Sequence, residues 1–158
     1  MENKMFCFQC EQTAGCTGCT GKAGVCGKSA DVANLQDELT GALIGLARAT
    51  DGDTPVSADT WLLLIEGLFT TVTNVNFNEK TIRELIDRVH AEKARLIPNC
   101  SVCASRCGRN DDYNMAELWN AQEDVRSLKS LILFGVRGMA AYAHHALVLG
   151  YTDDAVNR

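Results

Sequence analysis

Proline is nearly missing from this 158-residue chain, with only two, and aromatic residues make up 6%. So few prolines leave long segments free to run as helices. Few aromatics and no sustained period-two alternation exclude a sheet-rich fold. Long apolar runs are lacking too. The longest, 61–65 and 131–135, fall far short of a membrane span, so no membrane partner is expected. The opening Met1-Glu2-Asn3-Lys4-Met5 has no apolar stretch of the kind that leads a protein into export, which points to the cytoplasm. There is no basic excess: net charge is −5 and no basic stripe occurs, which argues against a nucleic-acid partner. Nor is there a phosphate-binding glycine loop, a Ser–His–Asp pattern or a nucleotide fingerprint, and no catalytic residue is assigned.

What the chain does have is a globular balance, 46% hydrophobic and 22% charged, and eight cysteines. Its length suits one domain with a real core. An even cysteine count in a small exported protein suggests disulfides, but nothing here points to export. In a cytosolic chain the same count reads better as metal or iron–sulfur ligation. The cysteines are also clustered. Five lie between Cys7 and Cys26, three between Cys100 and Cys107, and none between the groups.

Residues 1–28 have no helical period and carry five glycines among cysteines and threonines. Such a stretch holds no shape without cross-links, but it can wrap tightly and turn backbone N–H groups inward. From Ser29 the pattern becomes helical. Ser29 is the expected N-cap, and Leu35, Leu39, Ala42, Leu43 and Leu46 recur at three- and four-residue steps. After a loop at 50–55, Ser57 caps a second helix with Trp61, Leu64, Ile65, Leu68 and Val72 on its apolar face. Asn78 or Thr81 opens a third with Ile82, Leu85, Ile86, Val89 and Leu96, and Pro98 stops it. A short helical stretch around 115–120 precedes the longest helix, about 124–149. Its expected core face is Leu128, Leu131, Ile132, Gly135, Met139, Tyr142 and Ala146. Thr152 reads as a cap of one more helical turn, the start of a segment cut short, with a frayed native tail as the alternative. The predicted fold is all-α, a bundle of three to four main helices with a cysteine-rich N-terminal loop. Residues 1–28 form the loop, 29–151 the bundle with a second cysteine loop at 98–110, and 152–158 the first turn of a truncated further segment.

Cys7-Phe8-Gln9-Cys10 is a C-x2-C pair, and Cys19 and Cys26 can supply two more thiolates. Four thiolates suit either a [4Fe–4S] cubane or a structural zinc. The single glycine-rich wrap, with amides free to bond sulfur, favours iron–sulfur. The second group, Cys100, Cys103 and Cys107, reads C-x2-C-x3-C. With Cys16 it makes a second four-thiolate set for another cluster or zinc; a three-cysteine cluster with an outside ligand, a disulfide and free thiols stand beside that reading. Lys22, Lys28, Arg106 and Arg109 flank the cysteine loops and either offset thiolate charge or guide an electron-transfer partner. The remaining polar residues read as ordinary structure. His90, Arg126 and Arg137 belong to helix surfaces, Asp111-Asp112 to a solvated turn, and His144 and His145 to different helix faces. Met5, Met115 and Met139 read as core.

The segment Met5-Phe6-Cys7-Phe8-Gln9-Cys10-Glu11-Gln12-Thr13-Ala14 resembles the opening of the hybrid-cluster or prismane proteins, the hydroxylamine reductase family. The resemblance continues through Thr17-Gly18-Cys19-Thr20, Val25-Cys26-Gly27-Lys28 and Asn34-Leu35-Gln36-Asp37. It resumes at Thr73-Asn74-Val75-Asn76-Phe77, Glu123-Asp124-Val125-Arg126-Ser127-Leu128 and Gly138-Met139-Ala140-Ala141-Tyr142-Ala143-His144-His145-Ala146. It implies that Cys7, Cys10, Cys19 and Cys26 hold a cubane, and that the chain is the N-terminal helical domain of a longer reductase. The hybrid cluster, ligated by later domains, is expected only in that parent. The implied role is electron transfer from a redox donor protein toward a centre that reduces hydroxylamine to ammonia and water, or nitric oxide. The implied partners are that donor and the remaining domains, with the isolated chain inactive. Cys16 and the 98–110 loop depart from the family pattern. The alternative is a stand-alone, non-enzymatic metal-binding or thiol redox-sensing module.

Overall fold

The computed structural model describes residues 4–10, 17–50, 56–97 and 111–157. Among them lie six helices and one isolated antiparallel bridge. Helix α1, Ala30–Ala49, starts where the sequence has its cap: Ser29 is extended and its Oγ accepts from the Val32 N–H at 3.2 Å. Helix α2, Ala58–Thr70, is capped in the same way by Ser57. Asn78 rather than Thr81 caps α3, Glu79–Leu96, its Oδ1 accepting from the Thr81 N–H at 3.2 Å. The turn before it carries Asn74 at φ 66, a left-handed conformation that asparagine tolerates. Helix α4, Met115–Trp119, is a short piece capped by Asn114. Helix α5, Glu123–Val148, has 26 residues, and α6 spans Asp154–Asn157. Asp153, not Thr152, caps α6, accepting from the N–H groups of Ala155 and Val156.

The core is the seam between α1 and α3, closed by α2. Val32, Leu35, Leu39, Ala42, Leu43 and Leu46 of α1 meet Ile82, Leu85, Ile86 and Val89 of α3, with Leu63 of α2 at one end. Each of these large side chains contributes about 1.5–3 kcal/mol on leaving water. Two glycines set how closely the layers approach. A Cβ on Gly67 would fall 2.6 Å from Leu43 Cδ2, and one on Gly41 would strike the Tyr113 carbonyl. The Tyr113 N–H donates to the Gly41 carbonyl at 3.0 Å, so the chain before α4 lies directly across α1.

Helix α5 departs from its expected orientation. Leu131, Met139 and Tyr142, placed in the core by periodicity, are 69%, 62% and 82% exposed. Leu128 and Ile132 are exposed with them. The buried positions are Ser130, Arg137 and Ala140, one stripe around, and they face α2. That stripe wins because Arg137 is no surface residue. Its Nε donates to Thr71 Oγ1 at 2.9 Å and its Nη2 to Thr40 Oγ1 at 3.0 Å, while the small Ala140 admits close contact. By length and composition α5 is also apolar enough to cross a bilayer, which the short apolar runs did not suggest. Between α1, α2 and α5 lies an apolar groove of about 610 Å³, lined by Leu43, Trp61, Leu64, Leu68, Ile132 and Met139 among others.

Other polar residues are also more engaged than expected. Asp112 is not left to solvent: it accepts from His90 Nε2 at 2.7 Å and from Lys93 Nζ. Burial raises its carboxyl, but those two hydrogen bonds and charges outweigh it and hold the group below its ordinary value. Arg126 reaches the Trp119 carbonyl at 3.4 Å. His144 and His145 both meet Phe69, one stacked at 4.1 Å and one edge-on at 5.4 Å.

Candidate metal centre

The site is built from two short segments laid against the start of α1. Cys7 and Cys19 sit opposite each other across the isolated bridge. The Cys7 N–H donates to the Cys19 carbonyl at 3.1 Å, and the Cys19 N–H donates back to the Cys7 carbonyl at 2.8 Å. Gly18, at φ 91, makes the turn into this pairing, and a Cβ there would press on the Phe6 ring at 3.0 Å. Both cysteines are buried in a small cluster with Met5 and Ala33. The turn at 24–28 is closed by the Gly24 N–H on the Lys28 carbonyl and the Gly27 N–H on the Gly24 carbonyl. It brings Cys26 Sγ, Met5 Cε and Lys28 Cβ around Gly24. Cys10 and Cys26 are half-buried, so the thiols run from an interior pair to a surface pair. Phe6 and Phe8 set their rings edge-on to Trp119 at 5.6 and 5.8 Å, fixing the wrap to α4.

Lys28 is the feature whose role the sequence leaves open. Its Nζ lies 3.8 Å from Cys7 Sγ and 3.0 Å from Gln9 Oε1, and it also donates to Gln36 Oε1. It is 1% exposed, enclosed beside the cysteine and not presented to solvent. Burial pushes the Cys7 thiol up, and the Lys28 ammonium works against that. Gln9 in turn donates to Asp37 Oδ1 at 2.8 Å. Burial raises the Asp37 carboxyl, opposed first by that bond, then by the approaching Trp119 indole and the charges of Arg137 and Lys28. The same burial brings the Arg137 guanidinium down to about 10.

Among the described residues, no three Cys, His, Asp or Glu side chains converge as they would around a single metal ion. A cubane makes a different demand, because each thiolate takes a separate iron and the sulfurs spread around the core. All-sulfur donors, a buried pair, a half-exposed pair and an adjacent buried cation fit that demand. The second set, Cys16, Cys100, Cys103 and Cys107, lies outside the described residues, as do Arg106 and Arg109.

Residues 5–158 match the prismane/CO dehydrogenase family. Among curated relatives, a protein named hydroxylamine reductase from Porphyromonas gingivalis is 38% identical over 99% of this chain and 32% of its own length. One of the same name from Methanococcus vannielii is 35% identical over 98% of the chain and 32% of its length. Another from Desulfitobacterium hafniense is 41% identical over 96% and 31%. The chain thus spans about a third of the relatives it matches, and with the family pattern running through nearly all of it, the chain belongs to the prismane/CO dehydrogenase family.

Proposed function

We propose that this chain is an iron–sulfur electron-transfer domain of a hydroxylamine reductase, with one [4Fe–4S] cluster on Cys7, Cys10, Cys19 and Cys26. The observation that carries the reading is the buried Cys7–Cys19 pair beside a buried lysine, in a family that implies iron–sulfur clusters. Such a cluster supplies one-electron chemistry with little change of shape. The protein's own residues do the rest. Cys7 and Cys19 anchor the inner side and exclude water with Met5 and Ala33. Cys10 and Cys26 leave an outer side open to a redox donor protein. Hydroxylamine reduction, which takes up two electrons and two protons to give ammonia and water, belongs to the full-length protein with its hybrid cluster. The thiols suit a reducing, cytoplasmic setting.

The uncovered face of α5 fits the same reading. The occupant we assign to it is the remaining two thirds of a family-length polypeptide, since the relatives carry that much more chain. Leu128, Leu131, Ile132, Met139 and Tyr142 expose apolar side chains along this one helix, and clustered exposed apolar residues are what an interface offers.

Iron and acid-labile sulfide analysis on anaerobically prepared protein tests the cluster assignment. Wild type should carry both, and Cys10→Ser should lose them; unchanged iron and sulfide in Cys10→Ser would reject the ligand set. Zinc without sulfide would support the non-enzymatic metal-binding reading instead. The isolated chain should form no ammonia from hydroxylamine with dithionite.

A further inference from the structure

We propose that Lys28 is a buried counter-cation in contact with the cysteine site, a positioning residue whose charge helps set how readily that site accepts an electron. The proposal rests on the cluster assignment above and adds a residue outside the ligand set. An ammonium has three N–H bonds, and all three are spent here, on Cys7 Sγ, Gln9 Oε1 and Gln36 Oε1. Two of these acceptors are neutral amides. The thiol is the only one that can become an anion.

The two amides are themselves aimed. Gln36 Nε2 donates to the Asn76 carbonyl at 2.8 Å and Gln9 Nε2 to Asp37 at 2.8 Å. Each amide therefore turns its oxygen to Lys28, and the ammonium is held from α1 on one side and the cysteine wrap on the other. Asp37 stands one step removed, behind Gln9. A buried cation among neutral partners is unfavourable unless a negative group lies alongside. A set of thiolates around iron is such a group, and hydrogen bonds and net charge at the sulfurs are what set a cluster's potential. Reduction adds one electron from a one-electron donor protein. No bond breaks and no proton moves, so the site becomes more negative by one charge. A fixed cation beside Cys7 favours that state.

The test is a mediated redox titration of reconstituted protein, followed by electron paramagnetic resonance, with iron content measured alongside. Lys28→Met and Lys28→Gln remove the charge. Gln36→Leu keeps it but loses one holder. The neutral variants should lower the equilibrium constant for reduction at least tenfold, about 59 mV for one electron. Gln36→Leu should move it in the same direction by less. Neutral variants that load iron and titrate like wild type would overturn the role of Lys28 and leave the ligand assignment standing. Should neither neutral variant load, Gln36→Leu decides: a lowered constant supports the proposal, and an unchanged one overturns it. Wild type that binds no iron under these conditions would overturn the cluster assignment and this proposal together.

Discussion

Helices α1 and α5 are both long and both carry a clear apolar stripe, yet α1 is mostly buried and α5 mostly uncovered. Twelve residues of the 20 in α1 are buried. In α5, three of 26 are, and two of those three are polar. Composition does not separate them; partners do. α1 is gripped by α3 on one side and by α2 and the chain before α4 on others, while α5 leans mainly on α2. A helical period says that a helix has an apolar face. It does not say which neighbour covers that face, or whether the neighbour lies in the same segment of polypeptide.

The comparison breaks most visibly at Leu39, fully buried at the centre of the α1–α3 seam. Leu39→Ala should cost about 2–5 kcal/mol through lost burial and the cavity left behind, read by chemical denaturation. A loss below about 1 kcal/mol would mean the seam is not close-packed there. Next comes Gly41→Ala, where the added methyl meets the Tyr113 carbonyl, a backbone atom that cannot swing aside. Overpacking of this kind should cost about 1–3 kcal/mol, despite alanine's better helix propensity. The equivalent change at Gly135 or Gly138 of α5, where nothing lies within 4 Å, should be neutral or slightly stabilising.

A smaller effect concerns acid. The Asp112 carboxyl is held below its ordinary value of 3.8 in the folded chain by Lys93 and His90. A depressed acid contributes stability that is present above the unfolded value and is lost as pH falls through the folded one. Asp112→Asn should therefore lower Tm at neutral pH and flatten its fall between about pH 5 and pH 3. Asp37 runs the other way. Its carboxyl is raised by burial, so its ionised form is a burden that grows as pH rises through the folded value. An Asp112→Asn variant whose Tm parallels wild type through the acid range would show that the His90–Asp112–Lys93 contact is not maintained in solution.

The sequence carried α1 and α3 nearly whole, because caps such as Ser29 and Asn78 and stripes such as Leu35–Leu46 are local signals. It carried α2 by half. Ile65 of the expected face is buried and Leu64 and Leu68 pack partly against the core, but Trp61 lines the groove, and Thr60, Leu63, Gly67 and Thr70 are buried without having been expected, because α2 sits between α1 and α5. Spacing and family pattern singled out Cys7, Cys10, Cys19 and Cys26 as candidates, and the structure sets two of them, Cys7 and Cys19, opposite each other across a backbone bridge. Lys28 and Arg137 were not legible as buried cations. Their partners, Gln9 and Gln36 for one, Thr40 and Thr71 for the other, are ordinary polar residues on other segments, from eight to 97 positions away. For Lys28 the sequence offered a charge beside the cysteine loops, but not its burial.

The smallest expected effect is the most informative about α5. Leu128→Gln and Leu131→Gln replace exposed leucines that touch little in this chain. In the isolated chain each should change stability by no more than about 0.5 kcal/mol, as ordinary surface substitutions do. In a family-length protein the same positions should be covered, and each change should then cost about 1.5–3 kcal/mol, the value of burying a leucine. Thermal denaturation of both forms, with hydrogen exchange across α5, measures the difference. A cost confined to the longer protein, together with slowed exchange along Glu123–Val148, is what an interface with later domains requires. Equal, negligible costs in both would leave the stripe uncovered by the rest of the polypeptide and remove the occupant assigned to it.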